Sequence, residues 1–181
     1  MNEVLKVIQE RYSCRGYLSE PLTKEEVQAI ADAAIQAPSA NNSQNWHITM
    51  VTDKALIEEM DTEALHMISE TGDTALYERM IERGGKIFYG APCMGFVFIK
   101  DKATLDCGIV VQNMALAATS LGFGNCICGL ANFALQGDKS EAFKKKLNVP
   151  DGYEFGIAIM IGKAKIERQA HTPDTAKVSI V

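Results

Sequence analysis

Positive charge is scarce in this chain. Lysine and arginine number 18 against 23 acids, leaving a net charge of -5 over 181 residues. That balance argues against nucleic acid as the natural partner, because no basic stripe is available to neutralise a run of phosphates. The one basic run, Lys144, Lys145 and Lys146, falls where a helix should end and is expected to face water. No run of about 20 apolar residues is present, so no membrane span is predicted. The opening residues, Met1 to Lys6, lack the apolar centre of a signal peptide. Five cysteines with no disulfide-like spacing fit a cytoplasmic compartment. His47, His66 and His171 lie far apart, and Cys126-x-Cys128 lacks the second ligand pair of a structural zinc site, so no metal centre is predicted. Strand-led G-x-G-x-x-G, G-x-x-x-x-G-K-[ST] and G-x-S-x-G are all missing, which removes the usual nucleotide loops and the serine triad.

What is present reads as one domain. An apolar fraction of 47% and a charged fraction of 23% are those of an ordinary globular protein. Helical spacing of Val4, Leu5, Val7 and Ile8 predicts a helix over residues 3–11. Thr23-Lys24-Glu25-Glu26 is a capping box for a helix that Pro38 stops. Residues 46–52 read as a strand, Asp53 caps a helix to about residue 70, and another helix runs over 74–83. Residues 93–100 are a continuous apolar run, hence a buried strand. Asp101 is expected to cap an Ala-rich helix over 103–121 that is apolar nearly all round and therefore central. Residues 124–129 read as a strand or turn, Asp138 to Glu141 as the cap of a helix ending near Leu147, and 156–161 as the last strand. The expectation is an α+β fold: a small central, mainly antiparallel sheet surrounded by helices, with a domain over residues 1–162. Residues 163–181 form a tail, read either as disordered or as an extended arm.

Two segments concentrate polar chemistry. Two of only five arginines fall within Arg11, Tyr12, Ser13, Cys14 and Arg15. A guanidinium is always charged and forks onto phosphate oxygens, and a serine hydroxyl completes such a cradle. The alternative is a pair of solvated charges at a helix C-terminus, where the dipole also favours cations. The second segment, Pro38 to Asn45, packs two Ser, three Asn and a Gln beside the only Trp. It suits a flat heteroaromatic ligand, or it is an ordinary polar turn. Cys126 and Cys128 read as buried small hydrophobes rather than a redox pair.

Together, Arg11-x-Ser13-x-Arg15 and Ala37-Pro38-Ser39-Ala40-Asn41-Asn42-Ser43-Gln44-Asn45-Trp46 resemble the FMN-dependent nitroreductase family. Gly90-Ala91-Pro92, Asp106-Cys107-Gly108 and Leu121-Gly122-Phe123-Gly124 extend the resemblance over nearly the whole chain. It implies a homodimer with FMN at the subunit interface, NADH or NADPH as reductant, and a C-terminal arm exchanged between subunits. By the same resemblance, Arg11 and Ser13 hold the FMN phosphate, with Tyr12 between them. Arg15 lies near the phosphate and the pyrimidine edge, as an electrostatic stabiliser. Pro38, Ser39, Ala40 and Asn42 reach the flavin from the other subunit. Arg83 and Lys86 face the ribityl and pyrimidine side, Cys128 and Gly129 offer backbone N–H groups to O4 and N5, and His171 replaces a C-terminal Arg. Lys163, Lys165 or Arg168 are candidates to compensate for that replacement. Asn45 stands where Pro is usual and Ala40 where Ser is common. The implied chemistry passes hydride from NAD(P)H through flavin N5 to nitroaromatics, quinones or enones, with no side-chain acid or base. Dehalogenation, flavin breakdown and non-catalytic FMN storage remain alternatives on the same fold.

Overall fold

A computed structural model describes residues 2–167 and 171–180. Among them are six α-helices: α1 (Glu3–Glu10), α2 (Lys24–Ile35), α3 (Lys54–Glu70), α4 (Thr74–Glu82), α5 (Thr104–Ser120) and α6 (Ser140–Lys146). Four strands, β1 (Trp46–Val51), β2 (Cys93–Ile99), β3 (Gly124–Cys128) and β4 (Glu154–Gly162), make one antiparallel sheet in the order β1-β2-β4-β3. The last strand thus enters between β2 and β3, which leaves β1 and β3 as the outer strands.

Local chemistry explains most helix starts. Asn2, Asp53 and Asp73 accept N–H bonds from the first turns of α1, α3 and α4. The Thr23–Glu26 box is reciprocal, with Thr23 Oγ1 accepting at 3.2 Å and Glu26 Oε2 at 2.7 Å. Two expected caps are absent. Asp101 and Lys102 adopt left-handed backbone (φ 54° and 56°) in the turn after β2, and α5 begins behind Ala103 without a side-chain cap. At α6 the capping position is Lys139, and Ser140 Oγ donates instead to the Leu135 carbonyl at 2.7 Å.

Each face of the sheet carries its own core. Met94, Phe96, Phe98, Ala158 and Met160 point toward α3, α6 and a 3-10 segment, Gly129–Leu135. Cys93, Val97, Ile99, Ile159 and Ile161 point toward α2 and α5. Strand β2 is buried along its whole length because both faces are covered. A bulge in β4 follows from close packing: a Cβ on Gly156 would lie 2.6 Å from Cys107 Sγ and 2.9 Å from the Val97 carbonyl.

Helix α5 is less central than its composition suggests. Val110, Met114, Ala115 and Ala118 are fully buried, and α2 packs close enough for Asn113 to donate to the Ala33 carbonyl at 3.0 Å. Its outer side is open, however, with Leu105 78% exposed. After β4 the chain continues beside residues 16–18: Leu18 N–H donates to Lys163 O and Lys165 N–H to Gly16 O. Residues 171–180 are exposed along their length and include a short 3-10 turn, Thr175–Lys177.

Candidate active site

Beyond α1 the backbone of Arg11 turns extended (φ -59°, ψ 133°), and Ser13 forms a parallel bridge with Asn125 on the outer side of β3. Cys14 N–H donates to the Asn125 carbonyl at 2.8 Å, and Tyr17 Oη donates to the Cys14 carbonyl at 2.8 Å. The approach is tight: a Cβ on Gly124 would fall 2.8 Å from Cys14 Sγ. Glycine at that position is what lets the arginine segment lie against β3.

Cys126 is the floor of this cluster. Its thiol is hydrogen-bonded by Ser13 and feels the charges of both Arg15 and Arg11. Burial dominates nonetheless and raises the thiol, with the two cations opposing it. Among the described residues no carboxylate pairs with either guanidinium. In a protein of net charge -5, two arginines without a paired carboxylate among the described residues leave a local excess of positive charge.

The next group adjoins it. Cys128 ends β3 and is 6% exposed, while Gly129 opens the following 3-10 segment and is exposed. A Cβ on Gly129 would meet only Ile157 Cδ1, at 3.8 Å. Packing therefore does not demand glycine, and its lack of a side chain leaves the backbone there uncovered. Burial pushes the Cys128 thiol up to about 11, with the nearby Asp61 carboxylate also contributing. Lys86 Nζ lies 3.6 Å from Asp61 Oδ2, and Arg83 Nη1 donates to Tyr89 Oη at 3.4 Å.

The loop at 38–45 stands elsewhere. Its fold is internally fixed: Ser39 Oγ accepts the Gln44 N–H at 2.9 Å, and Gln44 Nε2 donates to Asn42 Oδ1 at 3.1 Å. Asn41, Asn42 and Gln44 all have positive φ (52°, 55° and 48°), a conformation Asn tolerates better than most residues. Pro38, Ala40 and Asn42 are exposed and Ser39 half-buried. The sheet register separates this loop from the arginines. Ser13 aligns with Asn125, Ile161 and Cys93 at one end of the sheet, whereas Trp46 aligns with Ile99 at the other. Four inter-strand steps across and the length of β2 along put the two segments roughly 25–30 Å apart, at opposite corners.

Other expected residues are not gathered. His171 is exposed, and among the described residues no hydrogen bond or ion pair ties it to the arginine segment. The Lys163 head is engaged by Glu20, while Arg168 lies outside the described residues. Conversely, Asp61 and Glu63 escaped the sequence reading. They are 4% and 6% exposed, and Glu63 pairs with Lys139 at 3.0 Å. A signal for Asp61 did exist: Ile57, Met60, Asp61, Ala64 and Ile68 share one helical stripe, so an acid occupies a core position.

Helices around a four-stranded antiparallel sheet, with an arginine–serine cradle on its outer strand, define a flavoprotein-like α+β class. A family profile described as the Nitroreductase family matches residues 8–163, and the chain belongs to that family. A crystal structure of a nitroreductase with bound FMN from Desulfitobacterium hafniense DCB-2 is 47% identical, covers 100% of this chain and 99% of its own, and superposes with a TM-score of 0.96. A nitroreductase with bound FMN from Bacteroides fragilis NCTC 9343 is 27% identical, with full coverage of both chains and a TM-score of 0.90. A protein of Archaeoglobus fulgidus with the provisional name NADH dehydrogenase/NAD(P)H nitroreductase is 26% identical over 96% of this chain and 92% of its own.

Proposed function

We propose that this protein is an FMN-dependent oxidoreductase that passes hydride from NADH or NADPH to electron-poor acceptors such as nitroaromatics, quinones or enones. The observation that carries the reading is the cradle itself: two guanidiniums with no carboxylate partner among the described residues, and a serine hydroxyl, all close enough to act on one buried thiol on β3. The residues fit a flavin mononucleotide. Arg11 and Ser13 would hold its phosphate, with Tyr12 between them, and Arg15, Lys86 and Arg83 would line the ribityl and pyrimidine side. The backbone at the turn from Cys128 into Gly129 would face the ring, and the uncrowded surface at Gly129 leaves room for it. FMN, when bound there, supplies two-electron chemistry at its N5 atom.

The protein's own tasks are positional and electrostatic. Fixed cations and backbone donors offset negative charge that develops on the ring, and they need no reorganisation when it does. Apolar walls around Cys126 and Cys128 keep water from the inner side of the site. No proton donor is required of any side chain for hydride transfer.

We further infer a homodimer in which Pro38, Ser39, Ala40 and Asn42 of one chain complete the cradle of the other. One small cofactor does not reach both corners of a single chain. Two features support a second copy. Val4, Leu5, Ile8 and Ile35 are 49–65% exposed on helices α1 and α2, which both pack against α5, and covering such apolar surface is worth roughly 25 cal/mol per Å². Gly108 sits inside α5 with nothing within 4 Å of a built Cβ. A helical glycine costs about 1 kcal/mol relative to alanine, and close approach from outside the chain explains it. In the same reading the tail expected over residues 163–181 leaves its own chain only after Lys165, which pairs with Gly16, and the part beyond, with His171 in it, is an arm exchanged between subunits. Five buried free thiols suit a reducing, cytoplasmic compartment.

A visible spectrum tests the proposal. Purified protein supplied with FMN should be yellow, and NADH or NADPH should bleach it without oxygen. Yellow protein that neither nucleotide bleaches would leave a binding protein without turnover, and failure to retain FMN would remove the reading altogether.

A further inference from the structure

Asp61 is a carboxylate 4% exposed, carried on the core stripe of α3. Burying a charge there is costly unless donors surround it. They do: Phe88 N–H donates to Oδ1 at 2.7 Å, the Ile87 N–H also reaches the carboxylate, and Lys86 Nζ stands 3.6 Å from Oδ2. Burial is the largest influence and raises the carboxyl's pKa, while these three donors oppose it by favouring the anion. The structural task alone, fixing residues 86–88, needs only an acceptor. A neutral amide or hydroxyl would meet it without the cost of a buried charge.

The charge has two neighbours of interest. Lys86 is half exposed and has Asp61 as its ion-pair partner. Cys128, at the turn into Gly129, also feels the Asp61 charge. Asp61 therefore acts on both parts of the site that face the ring, on the reading given above, which this inference takes as its premise.

We propose that Asp61 is a tuning residue: its buried negative charge offsets Lys86 and holds the flavin reduction potential down, so that the reduced cofactor remains a strong donor. The carboxylate touches neither cofactor nor substrate. It acts through the net field at the Lys86 and Cys128 sides of the pocket, and through the place it fixes for the lysine head.

The test is a dye-coupled redox titration of FMN-loaded protein in four forms: unaltered, Asp61→Asn, Lys86→Met and the double variant. Asp61→Asn keeps an acceptor for the Phe88 N–H, removes the charge and turns an amide N–H group toward Lys86. It should favour the reduced form by about tenfold, which for a two-electron couple is a rise of about 30 mV. Lys86→Met should shift the balance the other way by a similar factor, and the double variant should return to within about threefold of the unaltered protein. Asp61→Ser, measured alongside, removes the charge with a different small acceptor, so a folding failure of one variant does not decide the matter. A fall in potential, or none, in whichever charge-removing variant folds would overturn the proposal and leave Asp61 a purely structural brace. Failure of unaltered protein to bind FMN at all would instead overturn the flavin reading, and the two failures are seen in separate measurements.

Discussion

Replacing Arg11 by Ala separates two roles that share one side chain. Arg11 closes α1, where a cation at a helix C-terminus contributes about 0.3–1 kcal/mol through the dipole. If that were its whole purpose, Arg11→Ala would cost the cofactor-free protein that amount and leave FMN affinity untouched. The site geometry assigns the larger effect elsewhere. Arg11 has no acid partner among the described residues, so its removal breaks no ion pair. A charge-assisted bond to a phosphate is worth about 1.5–3 kcal/mol, which raises the FMN dissociation constant by roughly 10- to 150-fold. Titrating cofactor-free protein with FMN by fluorescence quenching gives the affinity, and a thermal melt of the same sample gives the stability. The expected outcome is a large loss of affinity with Tm lowered by no more than about 2–4 °C. Arg11→Lys should recover part of the affinity, since it restores charge without the fork. Unchanged affinity together with a lowered Tm would refute the cradle and leave Arg11 as a helix-terminal charge.

Two further outcomes follow from the packing. Gly156→Ala should destabilise the fold by about 1–3 kcal/mol, because the added methyl meets Cys107 Sγ and the rigid Val97 carbonyl; an unshifted urea midpoint would contradict the bulge as described. Burial pushes the Cys93 thiol up to about 12 and those of Cys107 and Cys128 to about 11. At pH 8 the last two would be thiolate to only roughly one part in a thousand, so alkylation of native protein should be slow and should quicken as pH rises or denaturant is added. Rapid native labelling of any of these three at pH 8 would show that its surroundings are not as packed as the structure has them.

How far the sequence foretells this molecule depends on the range of each interaction. The Thr23–Glu26 box and the Asp53 cap were legible because they are settled within four residues. Strand β2 was legible from its unbroken apolar run, since a central strand is covered on both faces. The Asp101 cap failed because left-handed backbone at Asp101 and Lys102 turns the chain before α5 can start there. Helix α5 reads as apolar all round, yet one chain buries only part of it. For the site, family resemblance supplied residues that spacing alone does not connect. That the arginine cradle and the 38–45 loop stand at opposite corners follows from insertion of β4 between β2 and β3, a pairing that no local pattern encodes. Asp61 was visible on its helical stripe but meaningless until residues 86–88 were seen against it.

The central claim, a flavin site completed across two chains, is met most directly by counting FMN in a forced heterodimer. One chain carries Arg11→Ala with Arg15→Ala, and the other carries Ala40→Trp, a change at an exposed position that plugs the loop without crowding its own fold. Each parent homodimer should bind no FMN. In the mixed dimer one site keeps an intact cradle from the second chain and an intact loop from the first, so one FMN per two chains is predicted. No FMN in the mixed dimer, with both chains folded and paired, would mean that cradle and loop serve the same chain, and the account would be wrong.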